Sequence, residues 1–207
     1  MDPKAFFSLS CGLYVVSAVH EGTARGCVVN TVQQVTSRPA QLSVTVNKEN
    51  ATAGWIAASG RFCAAVLTQD VPMNTIAVFG FSSSRDTDKF AAVAHKNAAS
   101  GTPYPAEGVA AVFDCRVVQT LDVGTHIIFV GEAEDASVES TGTPMTYAYY
   151  HQVKKGTTPP KAPSYQAEEK KTGWRCSVCG YVYERAELPD PFPCPVCKQP
   201  REAFVKL

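Results

Sequence analysis

The chain has 207 residues, of which 45% are hydrophobic and 18% are charged, and its 19 basic residues balance its 19 acidic residues. This length suits one or two globular domains, and the neutral balance gives no indication of a nucleic-acid partner or of binding to an anionic membrane surface. Because no apolar run approaches the roughly 18 residues of a spanning helix and the first residues lack the pattern of a signal peptide, the sequence predicts a cytoplasmic protein without a membrane segment.

The N-terminal part of the chain is predicted to be rich in β-strands. A hairpin with a loop of several residues is indicated by the apolar runs GLYVVSAV and GCVVNTVQQV on either side of HEGTAR. Residues 40–47 place Leu42, Val44 and Val46 on one face, which is the period of a half-buried strand. A helix is predicted over residues 51–59, with Asn50 as its N-cap.

Later segments continue this pattern. A second helix is predicted over residues 86–98, DTDKFAAVAHKNA, because acidic and hydroxyl residues crowd its start. Residues 108–140 contain further β-rich runs, which we expect to be broken at Asp122-Val123-Gly124 and at Gly131. Several strands in succession with a few helices between them predict a mostly β fold, a closed barrel with helical insertions.

The composition changes near the C-terminal end. Residues 154–172, KKGTTPPKAPSYQAEEKKT, contain three prolines and many charges but few apolar residues. Such a segment cannot build a core strand or helix, so it is predicted to be a flexible linker. The predicted domains are therefore residues 1–153 and 173–207.

The eight cysteines fall into two groups. Four occur singly among apolar neighbours and are expected to be buried as small hydrophobic residues, namely Cys11, Cys27, Cys63 and Cys115. The other four form two CxxC pairs, Cys176 with Cys179 and Cys194 with Cys197. Four convergent thiolates predict a tetrahedral metal site that holds zinc or a single iron. A zinc site that only stabilises a small domain is the structural alternative.

The surroundings of the cysteines resemble a known family. The stretch WRCSVCGYVYE, followed by PCPVC, is similar to the rubredoxin-like domain in the short-loop form that closes rubrerythrins. This resemblance implies one iron that changes its charge by one electron. Lys198 stands where the family usually has glycine, and zinc remains the alternative metal.

The N-terminal domain also resembles a family. The order of its elements is similar to that of the flavin reductase-like, FMN-binding split barrels. These elements are the polar pair Asn30-Thr31, the segment from Thr36 to Pro39, the strand up to Asn47 and the stretch Ser59-Gly60-Arg61-Phe62. A split barrel followed by an iron domain is also the arrangement of the high-molecular-weight rubredoxins of anaerobes.

The resemblance implies that FMN is bound by polar and cationic residues at strand ends and in loops. The end of one strand and the start of the next helix offer amides and a lysine to the phosphate, although ordinary helix capping explains the same residues. The serine-rich loop FSSSRD could close over the flavin or be a plain turn. The candidate FMN-binding residues are Asn30, Thr31, Thr36, Asn47, Lys48, Asn50, Thr52, Ser83, Ser84 and Arg85.

His126 is the candidate catalytic residue. Its Gly-Thr-His context resembles the Gly-Asp-His step that many flavin reductases use near the nicotinamide, but Thr125 replaces the aspartate. A histidine that opens a buried strand can equally be structural.

The predicted function is electron transfer from NADH or NADPH through FMN to a tetrathiolate iron, and then to a redox protein such as a flavodiiron protein. Family analogy implies a homodimer. Two alternatives remain open: an electron carrier without NAD(P)H activity, and a flavin reductase whose tail holds a structural zinc.

Overall fold

A computed structural model describes residues 3–158, 173–178, 180–195 and 199–207 of the chain. The strands are β1 Tyr14–His20, β2 Thr23–Val29, β3 Val32–Ser37, β4 Ala40–Asn47, β5 Arg61–Leu67, β6 His95–Asn97, β7 Pro103–Pro105, β8 Val109–Asp122, β9 His126–Val138, β10 Trp174–Cys176, β11 Val182–Tyr183 and β12 Phe204–Lys206. The helices are α1 Ala51–Ser59, α2 Met73–Phe81, α3 Lys89–Ala92 and α4 Tyr147–Gln152, with 3₁₀ segments at Pro3–Ser8 and Arg201–Ala203.

The main sheet has seven strands in the order β2-β1-β5-β8-β9-β4-β3. Val16 and Cys27, from β1 and β2 near one end of this order, share a buried cluster with Val44 and Val46 from β4 near the other end. A flat sheet would hold these strands far apart, so the sheet curves around the cluster. The predicted mostly β, barrel-like fold is confirmed, with its hydrogen-bonded order ending at β2 and β3 rather than closing into a ring.

The outer face of β1, β5 and β8 forms a second buried cluster. Leu13, Cys63 and Val112 pack there against Phe79 of α2 and Tyr150 of α4. The helices α2, α3 and α4 therefore cover one face of the sheet, whereas Ala53 and Ile56 of α1 belong to the cluster that the other face encloses.

The first hairpin is tighter than predicted. Its loop consists of Glu21 and Gly22 alone, with φ of 49° and 71°. Positive φ at both central residues is the requirement of a type I′ turn, whose twist matches that of the flanking strands. The run GCVVNTVQQV is two strands, because the chain turns at Asn30-Thr31 between β2 and β3.

The predicted helix over residues 86–98 is wrong for most of its length. Asp88 does cap a helix by accepting from the amides of Phe90 and Ala91, but α3 ends after four residues. The following residues His95–Asn97 instead pair with Pro103–Pro105 as a short ribbon. The helices α2 and α4 were not predicted from the sequence.

Gly131 does not interrupt the strand as predicted. It lies inside β9, where a Cβ would come within 2.5 Å of the Phe62 ring and 2.8 Å of Cys115 Cβ. Its small size serves the close packing of the barrel interior rather than a turn. The break at Asp122-Val123-Gly124 is confirmed as the turn between β8 and β9.

The C-terminal residues form a separate three-stranded sheet in the order β11-β10-β12. Its buried cluster consists of Cys176, Leu188, Cys194 and Phe204, with aromatic side chains packed against it. Of the predicted linker, residues 159–172 lie outside the described residues. None of the helices in the described ranges combines the length and apolarity needed to cross a bilayer.

The four single cysteines lie mostly where we expected them. Cys27, Cys63 and Cys115 are buried, as predicted, whereas Cys11 is only half-buried. Cys11 precedes β1 and pairs through its carbonyl with the amide of Tyr147, so it lies at the edge of the barrel rather than within its interior.

Candidate functional site

A cleft of about 250 Å³ opens at the N-terminus of α1. It combines predicted residues with several that the sequence did not indicate. Its lining residues are Arg25, Lys48, Asn50, Ala51, Gly54, Trp55 and Arg85.

The floor of the cleft is the start of α1. Asn50 has extended backbone geometry, and its Oδ1 accepts from the Thr52 amide at 3.0 Å, so it caps the helix as predicted. The positive end of a nine-residue helix therefore faces the cleft. Asn47 makes a similar turn just before, because its Oδ1 accepts from the Glu49 amide at 2.9 Å.

Three cationic side chains surround this helix end. Lys48 Nζ lies 2.5 Å from Asp122 Oδ2, and Arg85 donates to the Glu49 carbonyl at 3.2 Å. The Arg25 guanidinium lies 5.0 Å from the centre of the Trp55 ring. The buried Nε of Arg25 has no hydrogen-bond partner among the described residues. With a helix N-terminus and three cations, the cleft has the charge and the free donor capacity to bind an anion.

His126 lies beside this cleft. In the pairing of β4 with β9 it stands opposite Asn47, and the Lys48 amide donates to the Thr125 carbonyl at 3.0 Å. Its Nδ1 lies 2.8 Å from the Thr125 hydroxyl. The residue that replaces the expected aspartate therefore contacts the imidazole directly.

The candidates Asn30 and Thr31, in the turn between β2 and β3, and Thr36, on β3, are only partly brought together. Asn30 is buried, and Thr31 donates to the Thr45 carbonyl at 2.7 Å, so Thr31 lies near the end of β4 that leads to Lys48. Thr36 lies five residues further along the chain, roughly 16 Å away, and its hydroxyl donates to the Pro39 carbonyl. Within one chain, the structure does not place Thr36 at the cleft.

The serine-rich loop contributes one side chain to the cleft. Ser84 is buried and donates to the Gly26 carbonyl at 3.0 Å, while Ser83 Oγ accepts from the Arg85 amide at 3.2 Å. Only Arg85 of this group lines the cleft.

Thr52 also lies below the surface, fully buried in α1. Burial raises the pKa of the neighbouring Cys27 thiol, and the Thr52 hydroxyl, the Lys89 ammonium and the Asn50 side chain partly offset this rise. Cys27 of β2 and Ala53 of α1 share a buried cluster, which joins the start of α1 to β2.

Arg25 and Trp55 are lining residues that the sequence reasoning missed. Trp55 Nε1 donates to the Thr23 carbonyl at 2.9 Å, which fixes the ring over β2. A tryptophan in a short helix and an arginine in a predicted strand carry no local pattern of a binding site. Arg25 and Lys48 are far apart in the sequence and come together only when β2 packs against the start of α1.

The C-terminal sheet holds the described half of the predicted metal site. Cys176 and Cys194 are 1% and 0% exposed within the same buried cluster. The Gly180 amide donates to the Cys176 carbonyl at 2.9 Å, which closes the first CxxC turn, and the Cys194 amide donates to the Gln199 carbonyl at 2.7 Å. Two buried thiols enclosed by aromatic rings fit a tetrathiolate site in which solvent is excluded from the metal.

Cys179, Cys197 and Lys198 lie outside the described residues. Within the described ranges, no three histidine, cysteine or carboxylate side chains are grouped closely enough to hold a metal ion.

Two family models match the chain. The flavin reductase like domain matches residues 6–158, and the rubrerythrin, rubredoxin-like domain matches residues 174–205. A protein called high molecular weight rubredoxin, from Moorella thermoacetica, is 40% identical over 229 residues, and the match covers 100% of both chains. A ferric-chelate reductase (NAD(P)H) of Archaeoglobus fulgidus is 44% identical over 165 residues, which cover 80% of this chain and 98% of the relative.

Solved structures agree on the fold of the N-terminal domain. An NADH:FAD oxidoreductase of Streptomyces globisporus C-1027 matches with a TM-score of 0.64 at 23% identity, over 69% of this chain and 84% of that one. At this identity the likeness shows the fold alone, the split barrel.

Proposed function

The chain belongs to the flavin reductase like family and ends in a rubredoxin-like domain, and from this premise we propose that it passes electrons from NADH or NADPH through FMN to one iron and on to a redox protein. Its relatives show that the chain is an oxidoreductase with a barrel of the flavin reductase type and a C-terminal rubredoxin-like domain. The NAD(P)H donor, the FMN, and an acceptor such as a flavodiiron protein are parts of the proposal.

The cleft at α1 is the site proposed for the FMN phosphate. Arg25, Lys48 and Arg85 supply positive charge, and the start of α1 supplies backbone amides. The unpartnered, buried Arg25 Nε is the observation that carries this assignment, because a phosphate oxygen would supply the acceptor that this donor lacks.

The remaining polar candidates are assigned to the rest of the flavin. Asn47 ends β4 next to the cleft, and Asn30 and Thr31 lie in the turn between β2 and β3. Their side-chain amides and hydroxyls can hydrogen-bond the ribityl chain or the ring edge. Ser84 and Thr52 are buried and support the site from below. Ser83 is exposed and shapes the loop that carries Arg85.

We also propose a homodimer. The strand β3 is largely exposed, and the tip of the β8–β9 hairpin exposes Val118, Leu121 and Val123 to 41%, 54% and 47%. A second copy covering these apolar side chains would remove them from water. It would also give Thr36 a neighbour that its own chain does not provide.

The four thiolates of Cys176, Cys179, Cys194 and Cys197 are proposed to hold the iron. Bound flavin supplies hydride acceptance and the release of single electrons, which the iron centre can take up one at a time. The chain's own part is to hold the phosphate at the cleft, beside which His126 lies, and to enclose the thiols of Cys176 and Cys194 in aromatic side chains.

A carrier that does not use NAD(P)H is the second candidate, and the Thr125 contact favours it. In the Gly-Asp-His step of many flavin reductases, which this stretch resembles, the aspartate is replaced here by Thr125, whose hydroxyl lies 2.8 Å from His126 Nδ1.

An anaerobic titration tests these functions. We expect the purified protein to contain one iron and one FMN per chain, and NADH or NADPH to bleach the visible bands of both on a catalytic timescale. Bleaching by dithionite but not by either nicotinamide would favour the carrier. One zinc per chain with a flavin spectrum alone would contradict the electron-transfer role of the tail and leave a flavin reductase.

A further inference from the structure

The loop that carries Arg85 is fastened by a buried lysine. Lys89, the first residue of α3, is 3% exposed, and its Nζ donates to the Gly26 carbonyl at 2.9 Å and to the Phe79 carbonyl at 3.1 Å. In the described part of the chain no carboxylate lies within ion-pair distance of this ammonium. Burial lowers the pKa of Lys89, as expected for a cation removed from water without a counter-ion.

A buried, unpaired cation is costly, and an ordinary core position would be occupied by an apolar residue. The two carbonyls that accept from Lys89 belong to different elements, Gly26 to β2 and Phe79 to α2. The ammonium therefore joins three elements, β2, α2 and α3, at a single point.

The Gly26 carbonyl receives a second hydrogen bond from the same segment of chain, since Ser84 Oγ donates to it at 3.0 Å. Arg85 follows Ser84 and reaches across the cleft to the Glu49 carbonyl. Arg25 precedes Gly26 on β2 and forms another wall of the cleft. Ser84, next to Arg85, and Lys89 thus both donate to the carbonyl of the residue next to Arg25.

We propose that Lys89 is a positioning residue for phosphate binding: together with Ser84 it fastens residues 82–88 to β2 at Gly26, so that Arg85 and Arg25 are held ready on two sides of the anion. This inference rests on the proposed phosphate role of the cleft. Without Lys89, Arg85 remains in the chain but must be ordered when the ligand binds, and that cost lowers affinity.

Binding of two flavins that differ only in the phosphate tests the proposal. FMN and riboflavin are titrated into flavin-free protein, and quenching of flavin fluorescence gives each affinity. For Lys89→Met we expect FMN affinity to fall about 2- to 10-fold, the cost of ordering a long side chain, while riboflavin affinity is unchanged. An equal loss for both flavins would mean general damage to the barrel and would overturn the proposal.

A double-mutant cycle with Arg85 adds a second criterion. Arg85→Ala removes the side chain that Lys89 is proposed to position, so we expect the double variant to bind FMN no more weakly than Arg85→Ala alone. Losses that simply add would mean that Lys89 does not act through Arg85. Inorganic phosphate, used as a competitor of FMN, should show the same order of affinities among the variants.

Two further variants keep the test decisive. Lys96→Met makes the same substitution at an exposed lysine paired with Glu139, and it should leave both affinities unchanged. Ser84→Ala removes the other hydrogen bond to Gly26 while keeping the buried charge, so it should reproduce the phosphate-specific loss even if Lys89→Met does not fold. If wild-type protein binds FMN no better than riboflavin, the proposed phosphate role itself fails; if it does bind FMN better and the variants match it, only the role of Lys89 fails.

Discussion

The barrel and the C-terminal sheet both bury cysteines, but they do so with very different surroundings. Cys63 and Cys115 of the barrel are fully buried, and so is Cys194 of the C-terminal sheet. In the barrel, burial raises the pKa of Cys115 to about 12 and also raises that of Cys63, so both thiols stay neutral and pack as small apolar groups. Burial of a cysteine therefore does not reveal its role.

The size of the surrounding core distinguishes a packing cysteine from a metal-binding cysteine. Among the described residues the barrel has two buried clusters of 14 and 12 residues, whereas the C-terminal sheet has one cluster of four, two of them cysteines. Four buried side chains cannot offset the conformational entropy of a segment of this length. The C-terminal sheet should therefore depend on its metal, while the barrel should not.

Removing one thiolate should have the largest effect. Cys194→Ser is expected to release the metal and unfold residues 173–207, because a classical thiolate site of this size folds only with its metal. In an amide correlation spectrum, resonances of the C-terminal sheet should collapse into the random-coil region while those of the barrel keep their positions.

The same substitution in the barrel is the matched control. Cys63→Ser places a hydroxyl in a fully buried site and should cost about 1–3 kcal/mol of barrel stability, with the metal content unchanged. Loss of the barrel resonances in Cys194→Ser would contradict the independence of the two regions.

A packing change should affect only the barrel, and less severely. In Gly131→Ala the new methyl would lie 2.5 Å from the Phe62 ring, so neighbouring side chains must shift, at a cost of about 1–3 kcal/mol. Urea unfolding followed by near-ultraviolet circular dichroism measures this loss. The matched control is Gly54→Ala, which has open space around the new Cβ and should not destabilise the barrel. Gly22→Ala is not a suitable control, because the positive φ of Gly22 would strain an alanine whatever the space. A destabilisation of Gly54→Ala as large as that of Gly131→Ala would contradict the packing argument.

Local patterns predicted the parts of the fold that depend on nearby residues. The alternation of β4 and the capping of α1 by Asn50 are both confirmed, because each depends on residues adjacent in the chain. The helix predicted over residues 86–98 was wrong because pairing of His95–Asn97 with Pro103–Pro105 outweighed helix propensity after Ala92.

In the cleft, too, the residues set by local sequence were predicted and those set by distant packing were not. Lys48, Asn50 and Arg85 were identified from polar clusters at element ends, and all three line it. Arg25 could not be identified, because its place in the cleft depends on how β2 packs against α1. The position of Ser84 beneath the loop likewise depends on the distant Gly26, 58 residues earlier in the chain.

The smallest predicted effect concerns the place where the barrel ends. His151 of α4 has its Nδ1 2.9 Å from the Gly156 carbonyl and its Nε2 3.2 Å from the Thr158 hydroxyl, so it holds the first residues of the predicted linker against the barrel. Burial lowers the pKa of His151 below 6.5, and the hydrogen bond to Gly156 only partly opposes this. As pH falls through 6.5, the unfolded chain takes up a proton before the folded chain does, so barrel stability should decline until the folded-state pKa is passed.

Calorimetric melting between pH 8 and pH 5 measures this decline. This range lies above the titration of Glu134 and Glu139, whose pKa values are lowered from 4.5 by Arg61 and Lys96 respectively. His151→Gln should flatten the decline, because its amide does not titrate. If His151→Gln melts with the same pH dependence as wild type, residues 153–158 are not held to the barrel by a neutral imidazole, and the boundary between the two regions would lie nearer to α4.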